Sequence, residues 1–448
     1  MKTLWTNVHI VTVDGADHVY ADGALLCDGG VIAAVGPRNQ VESLMAGEAC
    51  QVVDGGGKYL FPGLINTHTH LYQELTKGRG SDLSLAEWFP RSMAPVGAVL
   101  RHDHMTAGVA LGLLEAVRSG TTTVADYMQH QPVEGLGIVE LDVVRQMGVR
   151  MVYGRGYRDI GRKEVVEIPA HIFDDVDDLK KRYEGDGLIT VWLAPAASWG
   201  LSPELMRETR AYADAHATPI MMHMFETGED ESGSMERFGK HAIDWYEECG
   251  LLGEDLLAVH SVSLEARELA KYQEHQVMVS YNPVSNMYLA SGVAPIPKLL
   301  EMGLTVGLGT DGAGSNNSND MLEAMKSGAL LQKVALRDPL ALTGTKTLRM
   351  ATIEAARALK MDHMVGSLEP GKRADFFLFD PMASVKTCPV LDPVATLVYS
   401  GDPRGVDTVV IDGRVILSGG AFVDADEPAI LARAQEMALD LQRCAGPC

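Results

Sequence analysis

Eight short apolar runs alternate with longer amphipathic segments between residue 60 and about residue 364. The runs are LFPGLINTHTH, TTTVADY, VRMVYGRGY, LITVWLAPAAS, PIMMHMF, LLAVHSV, QVMVSYNP and LTVGLGTDG. The segments between them include MTAGVALGLLEAVRSG, which ends in a glycine stop, and PELMRETRAYADAHA, which opens with proline; both patterns are typical of helices. Eight strands alternating with helices are what a parallel (β/α)8 barrel requires. The sequence therefore predicts an α/β fold built on a TIM-type barrel.

Strand-like runs separated by glycine-rich turns flank this barrel region on both sides. VIAAVG and CQVVDGGGKYL precede it, and DTVVIDGRVILSGG follows it. Two strand-rich ends around one barrel are explained most simply if they pair into one small composite β-sandwich domain. We therefore expect residues 1–59 and 365–448 to form this domain and residues 60–364 to form the barrel. Two independent small β-domains are the alternative.

The composition narrows the class of protein. The 448 residues carry 38 Lys and Arg against 60 Asp and Glu, and a net charge of −22 disfavours a nucleic-acid partner. The chain has no charged leader followed by an apolar stretch and no run of membrane-spanning length, so we expect a cytoplasmic protein without a membrane partner. Six cysteines without paired spacing indicate neither a disulfide framework nor a thiolate zinc site.

Polar side chains capable of metal binding or proton transfer fall at the ends of four apolar runs. His68 and His70 lie two residues apart, so on a strand both can point the same way. Alone, this pair is as compatible with a polar strand end as with chelation. His223 and Glu226 end the fifth run and lie three residues apart, so they can sit side by side only if the chain leaves extended geometry after His223.

The sixth and eighth runs end with His260 and Asp311. Taken singly, His260 could be a core histidine and Asp311 a turn or helix-cap residue. Polar residues at the carboxyl ends of several strands are, however, the arrangement of a barrel active site. Three imidazoles and a carboxylate suit Zn²⁺ or Fe²⁺. The sequence therefore predicts a metal site at this end of the barrel.

The sequence resembles the amidohydrolase superfamily, and within it the cyclic deaminase branch of methylthioadenosine/S-adenosylhomocysteine deaminases, guanine deaminases and triazine hydrolases. The matching segments are FPGLINTHTH, HMFET, VHSVSL, NPVSNMYLASGVAPIPKLLEMGLTVGLGTDGAGSNNSNDM and GSLEPGKRADFFLFD. The resemblance implies a metal-dependent barrel with a composite β-domain from both termini, a small heterocyclic substrate and a homo-oligomer.

Carried over residue by residue, the resemblance implies that His68, His70, His223 and Asp311 hold the metal and that Glu226, His260 and Asp311 are catalytic. Some members bridge two metals with a carboxylated lysine on the fourth strand. LITVWLAPAAS contains no lysine, so we expect one divalent metal, Zn²⁺, with Fe²⁺ as the alternative.

The implied reaction is hydrolytic deamination of an amino-substituted nitrogen heterocycle, nucleobase-like or triazine-like. A metal lowers the pKa of bound water to about 7, and the resulting hydroxide attacks the ring carbon while a carboxylate relays the proton. A close alternative displaces chloride or an alkylamine from the ring. A catalytically inactive scaffold protein is disfavoured because Glu226, His260 and Asp311 accompany all three ligand histidines.

Two positions bear on the substrate. Adenosine-type deaminases of this kind place a ribose-binding glutamate after the EW segment and a substrate-contacting histidine after the proline of the fourth strand. Gly97 and Ala196 stand there in this chain. A site discriminates for a sugar only if it has groups that hydrogen-bond to it. We therefore expect a base-like ring, with a nucleoside deaminase as the alternative.

Further residues qualify by position as substrate-binding. They are Gln73, Trp88, Arg155, Tyr157, Trp199, Asn282, Asn286 and Ser315. Trp88 and Trp199 could stack on a flat ring, or could pack a loop. Arg155 could meet a carbonyl or anion of the substrate, or could form a salt bridge with a barrel carboxylate such as Asp126.

Overall fold

The computed structural model describes residues 2–45 and 49–448. The N-terminal elements are the strands β1 (Lys2–Val11), β2 (Val19–Asp28), β3 (Val31–Pro37) and β4 (Gln51–Pro62), with helix α1 (Arg38–Ser43) between the last two. β1 pairs antiparallel with β2 and parallel with β4, and β2 pairs antiparallel with β3. Gly29, whose φ of 60° is readily adopted by glycine, allows the tight turn between β2 and β3.

Eight parallel strands follow in barrel order. They are β5 (Leu64–Thr69), β6 (Thr121–Met128), β7 (Arg150–Tyr157), β8 (Ile189–Pro195), β9 (Ile220–Met224), β10 (Leu256–His260), β11 (Met278–Tyr281) and β12 (Val306–Leu308). Hydrogen bonds close the barrel between the first strand and the end of the last. Asn66 Nδ2 donates to Thr310 Oγ1 at 2.7 Å, and the Asp311 amide donates to the His68 carbonyl at 2.9 Å. The strand ends that carry His68 and Asp311 are therefore neighbours.

Helices and short turns connect these strands. The helices are α2 (Leu85–Trp88), α3 (Ala94–Gly97), α4 (His102–Arg118), α5 (Leu136–Met147), α6 (Pro169–Tyr183), α7 (Pro203–His216), α8 (Glu229–Phe238), α9 (Ala242–Glu248), α10 (Ala266–His275), α11 (Pro283–Tyr288), α12 (Ile296–Glu301), α13 (Ala313–Asn316), α14 (Met321–Leu336), α15 (Gly344–Met350) and α16 (Ile353–Ala358). A π-helical turn spans Phe89–Met93, and a 3-10 helix spans Leu71–Thr76. The two helices expected from their proline and glycine signals are α4 and α7. In α7, Ser202 caps the first turn by accepting a hydrogen bond from the Leu205 amide.

The C-terminal elements return to the N-terminal strands. They are β13 (Phe376–Phe379), α17 (Pro393–Ser400), β14 (Val406–Ile411), β15 (Arg414–Ser418), β16 (Ala421–Phe422) and α18 (Glu427–Ala445). β13 pairs antiparallel with β4, so both ends of the chain share one sheet, ordered β16-β15-β14-β13-β4-β1-β2-β3. This pairing confirms the predicted fold class, a TIM-type barrel with a β-domain built from both termini.

Apolar side chains on the two faces of the shared sheet enter different cores. Trp5, Ile10 and Phe376 pack together on one face, whereas Phe61 and Phe377 belong to the core that continues into the barrel. Such alternation is expected of strands covered on both sides. No helix in the described part of the chain is both long enough and apolar enough to cross a bilayer. All six cysteines lie within the described residues and are free.

Candidate active site

His68 and His70 lie at the carboxyl end of β5, and both imidazoles are buried. The Nδ1 atom of His70 is 2.5 Å from the Tyr127 carbonyl oxygen. A carbonyl can only accept, so Nδ1 carries the proton and Nε2 is left with a free lone pair. The Nε2 atoms of both histidines lie 3.3 Å from Asp311 Oδ1. The pair is therefore directed at one point rather than at solvent.

His223 and Glu226 lie on the same side of the chain because β9 ends between them. The strand stops at Met224, and Phe225 has a φ of 52°, in the left-handed region. The carboxylate of Asp230 accepts a hydrogen bond from the Phe225 amide at 2.7 Å and holds this turn. The departure from extended geometry that the three-residue spacing required is present, and both side chains line one cavity.

His260 and Asp311 occupy strand ends with unusual backbone geometry. Their φ values are 76° and 64°, a region that non-glycine residues rarely adopt and that is often found at functional sites. Asp311 Oδ2 accepts hydrogen bonds from Ser285 Oγ at 2.6 Å and from Ser315 Oγ at 2.8 Å. Burial by itself would raise the pKa of Asp311, but the facing His68 and His260 imidazoles hold this pKa well below its usual range.

Side chains that could bind a metal converge at this point. One ligand atom from each of His68, His223, His260 and Asp311 lies within 4.8 Å of the others, and His70 Nε2 reaches the same Asp311 oxygen. Neither ring nitrogen of His68 has a well-directed hydrogen-bond partner among the described residues, which is costly for a buried polar group. Burial lowers the pKa of His70 to about 4 and that of His260 to about 3. Neutral imidazoles beside a carboxylate fit a divalent transition metal.

Glu226 and His260 form a second, adjoining pair. His260 Nε2 lies 3.5 Å from Glu226 Oε2, and Ser291 Oγ donates to Glu226 Oε1 at 3.2 Å. The Nδ2 atom of Asn286 lies 3.0 Å from His260 Nδ1. With this amide as donor, Nδ1 accepts and the ring proton lies on Nε2, facing Glu226. Burial, reinforced by the charge of Asp311, raises the pKa of Glu226 well above its usual range, which suits a group that both takes and gives protons.

A cavity of about 230 Å³ opens above these residues. His70, His223, Glu226, His260 and Asp311 form part of its lining. The other side chains that line it include Leu85, Trp88, Phe89, Tyr127, Tyr157, Arg158, Ala196 and Trp199. Aromatic walls with a few polar groups favour a small flat ligand.

The two tryptophans chosen by position both line this cavity. Trp88 is buried, and its Nε1 donates to the Gly314 carbonyl at 3.0 Å. Trp199 is 43% exposed and meets Phe89 edge to face, with ring centroids 5.3 Å apart. Tyr157 also contributes to the lining, although its hydroxyl contacts Thr209 Oγ1 at 2.8 Å on the helix side of the barrel.

Asn286, Ser315, Gln73 and Asn282 lie behind the site rather than in the cavity wall. Asn286 contacts His260, and Ser315 donates to Asp311, so both act on site residues. Gln73 is fully buried against the loop that follows Asp311. Asn282 is fully buried and donates to the Ser280 carbonyl at 3.2 Å.

The structure does not bring Arg155 to the cavity. Its guanidinium bonds to Glu167 at 2.8 Å and to Asp175 at 2.7 Å, two carboxylates outside the barrel interior, and not to Asp126. A Cβ on Gly154 would lie 2.6 Å from Met221 Sδ, inside the barrel, so the neighbouring Arg155 must point towards the helices. The arginine that lines the cavity is Arg158, which position along the run did not single out. The glycines in VYGRGYRD were the available signal, because they mark the inward positions of β7.

Gly97 and Ala196, the two positions that bear on a sugar, differ in their surroundings. A Cβ on Gly97 would lie 2.3 Å from a ring carbon of the buried His130, so this position is filled by a neighbour. Ala196 lines the cavity.

Comparison with known proteins gives consistent matches. Residues 59–416 match the Amidohydrolase family. A 5'-deoxyadenosine deaminase of Methanothermobacter thermautotrophicus is 38% identical over 89% of this chain and 91% of its own length. A 5-methylthioadenosine/S-adenosylhomocysteine deaminase of Syntrophomonas wolfei is 35% identical over 98% of this chain and 99% of its own length.

Among solved structures, an adenosine deaminase from Xanthomonas campestris with bound zinc has a TM-score of 0.92 and 29% identity, covering 98% of both chains. These similarities confirm the family resemblance drawn from the sequence, and with it the prediction of a hydrolase acting on carbon–nitrogen bonds of cyclic compounds. The match over residues 59–416 and the identities with both relatives show that the chain belongs to the amidohydrolase family.

Proposed function

We propose that the chain is a metal-dependent hydrolytic deaminase of an amino-substituted nitrogen heterocycle. The observation that carries the proposal is the convergence of four histidines, Asp311 and a buried Glu226 at one side of an aromatic-walled cavity. Full-length relatives with deaminase names and a zinc-containing structure of the same fold support the same reaction and metal.

For the metal we propose one zinc ion held by His68, His70, His223 and Asp311. Support comes from the two Nε2 atoms facing Asp311 Oδ1 and from the ring nitrogens of His68, which make no well-directed hydrogen bond within the described part of the chain. A bound divalent metal supplies the nucleophile at neutral pH by lowering the pKa of water to about 7. His260 also lies within 4.8 Å of Asp311. The Asn286 amide at its Nδ1 favours a proton on Nε2, however, which is incompatible with ligation through that atom.

Glu226 is the proton carrier of this proposal. Its raised pKa and its place beside His260 in the cavity allow it to take a proton from the attacking water. The same carboxyl passes this proton to the ring nitrogen next to the attacked carbon. It then takes the second proton from the same oxygen and delivers it to the departing amine, which leaves as ammonia. The carboxylate of Asp311 accepts a hydrogen bond from the attacking oxygen and orients it, and the Nε2–H of His260 stabilises the negative charge that develops on it.

The ring system has two candidates. The names of the relatives favour an adenosine-type nucleoside. The absence of polar side chains at Gly97 and Ala196 favours a free base-like ring, because a buried sugar hydroxyl needs hydrogen-bond partners. The aromatic walls at Trp88, Phe89 and Trp199 suit either ring.

We further propose residues 60–364 as the catalytic domain and residues 1–59 with 365–448 as the small domain. The pairing of β13 with β4 supports this division. The cytoplasmic location and the homo-oligomer stay predictions, which cell fractionation and light scattering after size-exclusion chromatography can test.

The decisive experiment is an ammonia-release screen of purified, zinc-loaded protein. The panel contains aminated purines, their nucleosides, pyrimidines, pterins and triazines, with chloride and alkylamine release followed in parallel. We expect ammonia from one ring class, loss of the activity after chelation and recovery when zinc is restored. Full activity of the chelated protein would refute the metal dependence, and chloride release without ammonia would replace deamination with the alternative leaving group.

A further inference from the structure

Arg158 lies in the wall of the cavity. It follows the end of β7 and is only 6% exposed. Across residues 2–45 and 49–448, its guanidinium makes no hydrogen bond or ion pair, and its buried Nε has no acceptor. A buried charge is normally paired, because removing it from water is costly. The positive charge of Arg158 is therefore available to a ligand.

Arg155 is a nearby arginine whose guanidinium has a structural role. It lies three residues earlier, and its fork bonds to the carboxylates of Glu167 and Asp175. Arg158 points the other way, into the cavity, and no carboxylate of the described residues lies within ion-pair distance of it, although carboxylates such as that of Glu226 line the same cavity. Arg155 is thus paired with carboxylates, whereas the charge of Arg158 faces the cavity.

The groups around Arg158 are aromatic and neutral. Its guanidinium carbon lies 5.1 Å from the centre of the Trp199 ring and 5.8 Å from that of Phe89, which keeps the planar fork in place. The ionisable groups that interact electrostatically with Arg158 are Tyr72, Tyr127 and His130. Burial and the charge of Arg158 keep the pKa of His130 well below its usual range, so His130 adds no charge.

We propose that Arg158 binds a carboxylate carried by the substrate, which makes the substrate class a carboxylated amino heterocycle. A planar guanidinium matches a carboxylate through two parallel hydrogen bonds, and the aromatic surroundings exclude the water that would weaken them. Glu226 and His260 line the same cavity as Arg158. A ring bound with its carboxylate at Arg158 can therefore present its amino-bearing carbon to Glu226. This inference rests on the proposed deaminase function and adds the substrate's anionic group to it.

The test compares matched ligands that differ in the carboxylate. The pairs are pterin-6-carboxylate with pterin, 5-carboxycytosine with cytosine, and S-adenosylhomocysteine with methylthioadenosine. For each ligand, kcat/KM is measured by ammonia release and Kd by calorimetry. The variants are Arg158→Gln, which removes the charge, and Arg158→Lys, which keeps it without the planar fork. Arg145→Gln is the matched control, because Arg145 also lies over an aromatic ring, Tyr183 at 4.7 Å, but on the surface.

We expect the unaltered protein to prefer the carboxylated member of at least one pair by roughly 10- to 100-fold, the range for a hydrogen bond to a charged group. Arg158→Gln should abolish this preference, Arg158→Lys should restore part of it, and Arg145→Gln should leave it unchanged. Circular dichroism and thermal unfolding verify that each variant is folded.

The outcomes separate this inference from the proposed function. Ammonia from neutral rings without any preference, or a preference that survives Arg158→Gln, overturns the role of Arg158 and leaves the deaminase proposal standing. Calorimetric binding of a carboxylated ligand that depends on Arg158, with no ammonia from any ring, supports the anion site and counts against deamination. Absence of both binding and ammonia overturns the two together.

Discussion

Asn286 shows how a single residue can set the chemistry of another. Its amide lies 3.0 Å from His260 Nδ1, and His260 Nε2 faces Glu226. The hydrogen-bond partner of one ring nitrogen determines whether the proton lies on the other ring nitrogen. We therefore regard Asn286 as a positioning residue.

The substitution Asn286→Asp tests this role with little change of shape. A carboxylate accepts from Nδ1–H and so moves the proton away from Nε2. We expect kcat to fall by roughly 10- to 100-fold, the usual cost of losing a partner that orients a site histidine, with zinc content unchanged. Steady-state kinetics and metal analysis measure the two quantities. An unchanged kcat would show that the tautomer of His260 is irrelevant.

For single residues, sequence spacing predicted the direction of some side chains and not of others. His68 and His70 share a strand, so a period of two placed both on one side. Arg155 was misplaced because position in a run does not give the side of the strand. Its direction follows from Gly154 packing against Met221 inside the barrel, a tertiary contact of which the glycines on either side of Arg155 were the local sign.

Glu140 on helix α5 packs its carboxyl group against the barrel. This side chain is fully buried and faces Asp126 of β6. Burial raises the pKa of Asp126 to about 7, and burial together with the charge of Asp126 raises the pKa of Glu140 well above its usual range. Near neutral pH, the folded protein therefore keeps a proton on this pair of carboxyl groups. In the unfolded chain, the glutamate carboxyl loses its proton once the pH exceeds its ordinary pKa of 4.5.

The sign of the resulting pH dependence follows from this difference. The free energy of unfolding falls as pH rises from about 4.5 through the raised pKa, by about 1.4 kcal/mol per pH unit for each proton bound only in the folded state. Glu140→Gln should flatten this slope between pH 5 and pH 8, measured by urea unfolding. Glu134→Gln, at an exposed site just before α5, is the control. Identical slopes for Glu140→Gln and the unaltered protein would refute this origin of the pH dependence.

The elements themselves were largely predictable, because a run of buried apolar residues followed by an amphipathic helix leaves few alternatives. The turns at their ends were not. Phe225, His260 and Asp311 have positive φ, which non-glycine residues adopt rarely and which is least favoured for the bulky Phe225. Other parts of the chain help to hold them there, as the bond from the Asp311 amide to the His68 carbonyl illustrates.

At the scale of the whole molecule, a buried ion pair joins the barrel to the shared sheet. Arg150 begins β7, and Asp375 precedes β13; Nε–Oδ2 is 2.7 Å and Nη2–Oδ1 is 3.0 Å, with both side chains buried. Asp375 Oδ1 also accepts a hydrogen bond from the Asp412 amide at 2.7 Å. The carboxylate thus links three segments that are distant in sequence.

Asp375→Asn removes the two direct carboxylate contacts of the buried Arg150 guanidinium and leaves it only the Asp412 carboxylate, 3.6 Å from Nη2. We expect the free energy of unfolding to fall by about 3–5 kcal/mol, as when one partner of a buried pair is removed. Asp424→Asn breaks the exposed pair with Arg414 and should cost no more than about 1 kcal/mol. Urea denaturation followed by fluorescence compares the two. Equal losses would mean that burial does not govern the Arg150–Asp375 pair.

The composite sheet could be predicted at this scale because strand-rich ends need partners. The position of the last helix could not. α18 leaves the sheet and lies against the barrel, where Asp440 pairs with His104 at 3.0 Å and Arg79 donates to the Gly446 carbonyl at 2.9 Å. Long-range polar contacts of this kind have no signature in local periodicity.

Glu226→Gln tests the central claim most directly, when zinc content and ammonia release are measured on the same preparation. The amide keeps the shape of the side chain but cannot relay a proton, so the rate should fall by about 10²–10⁴-fold while zinc stays bound. Glu236→Gln, at an exposed site on α8, should change neither quantity. A Glu226→Gln protein that keeps most of its activity, or that loses its zinc together with the activity, would contradict the account.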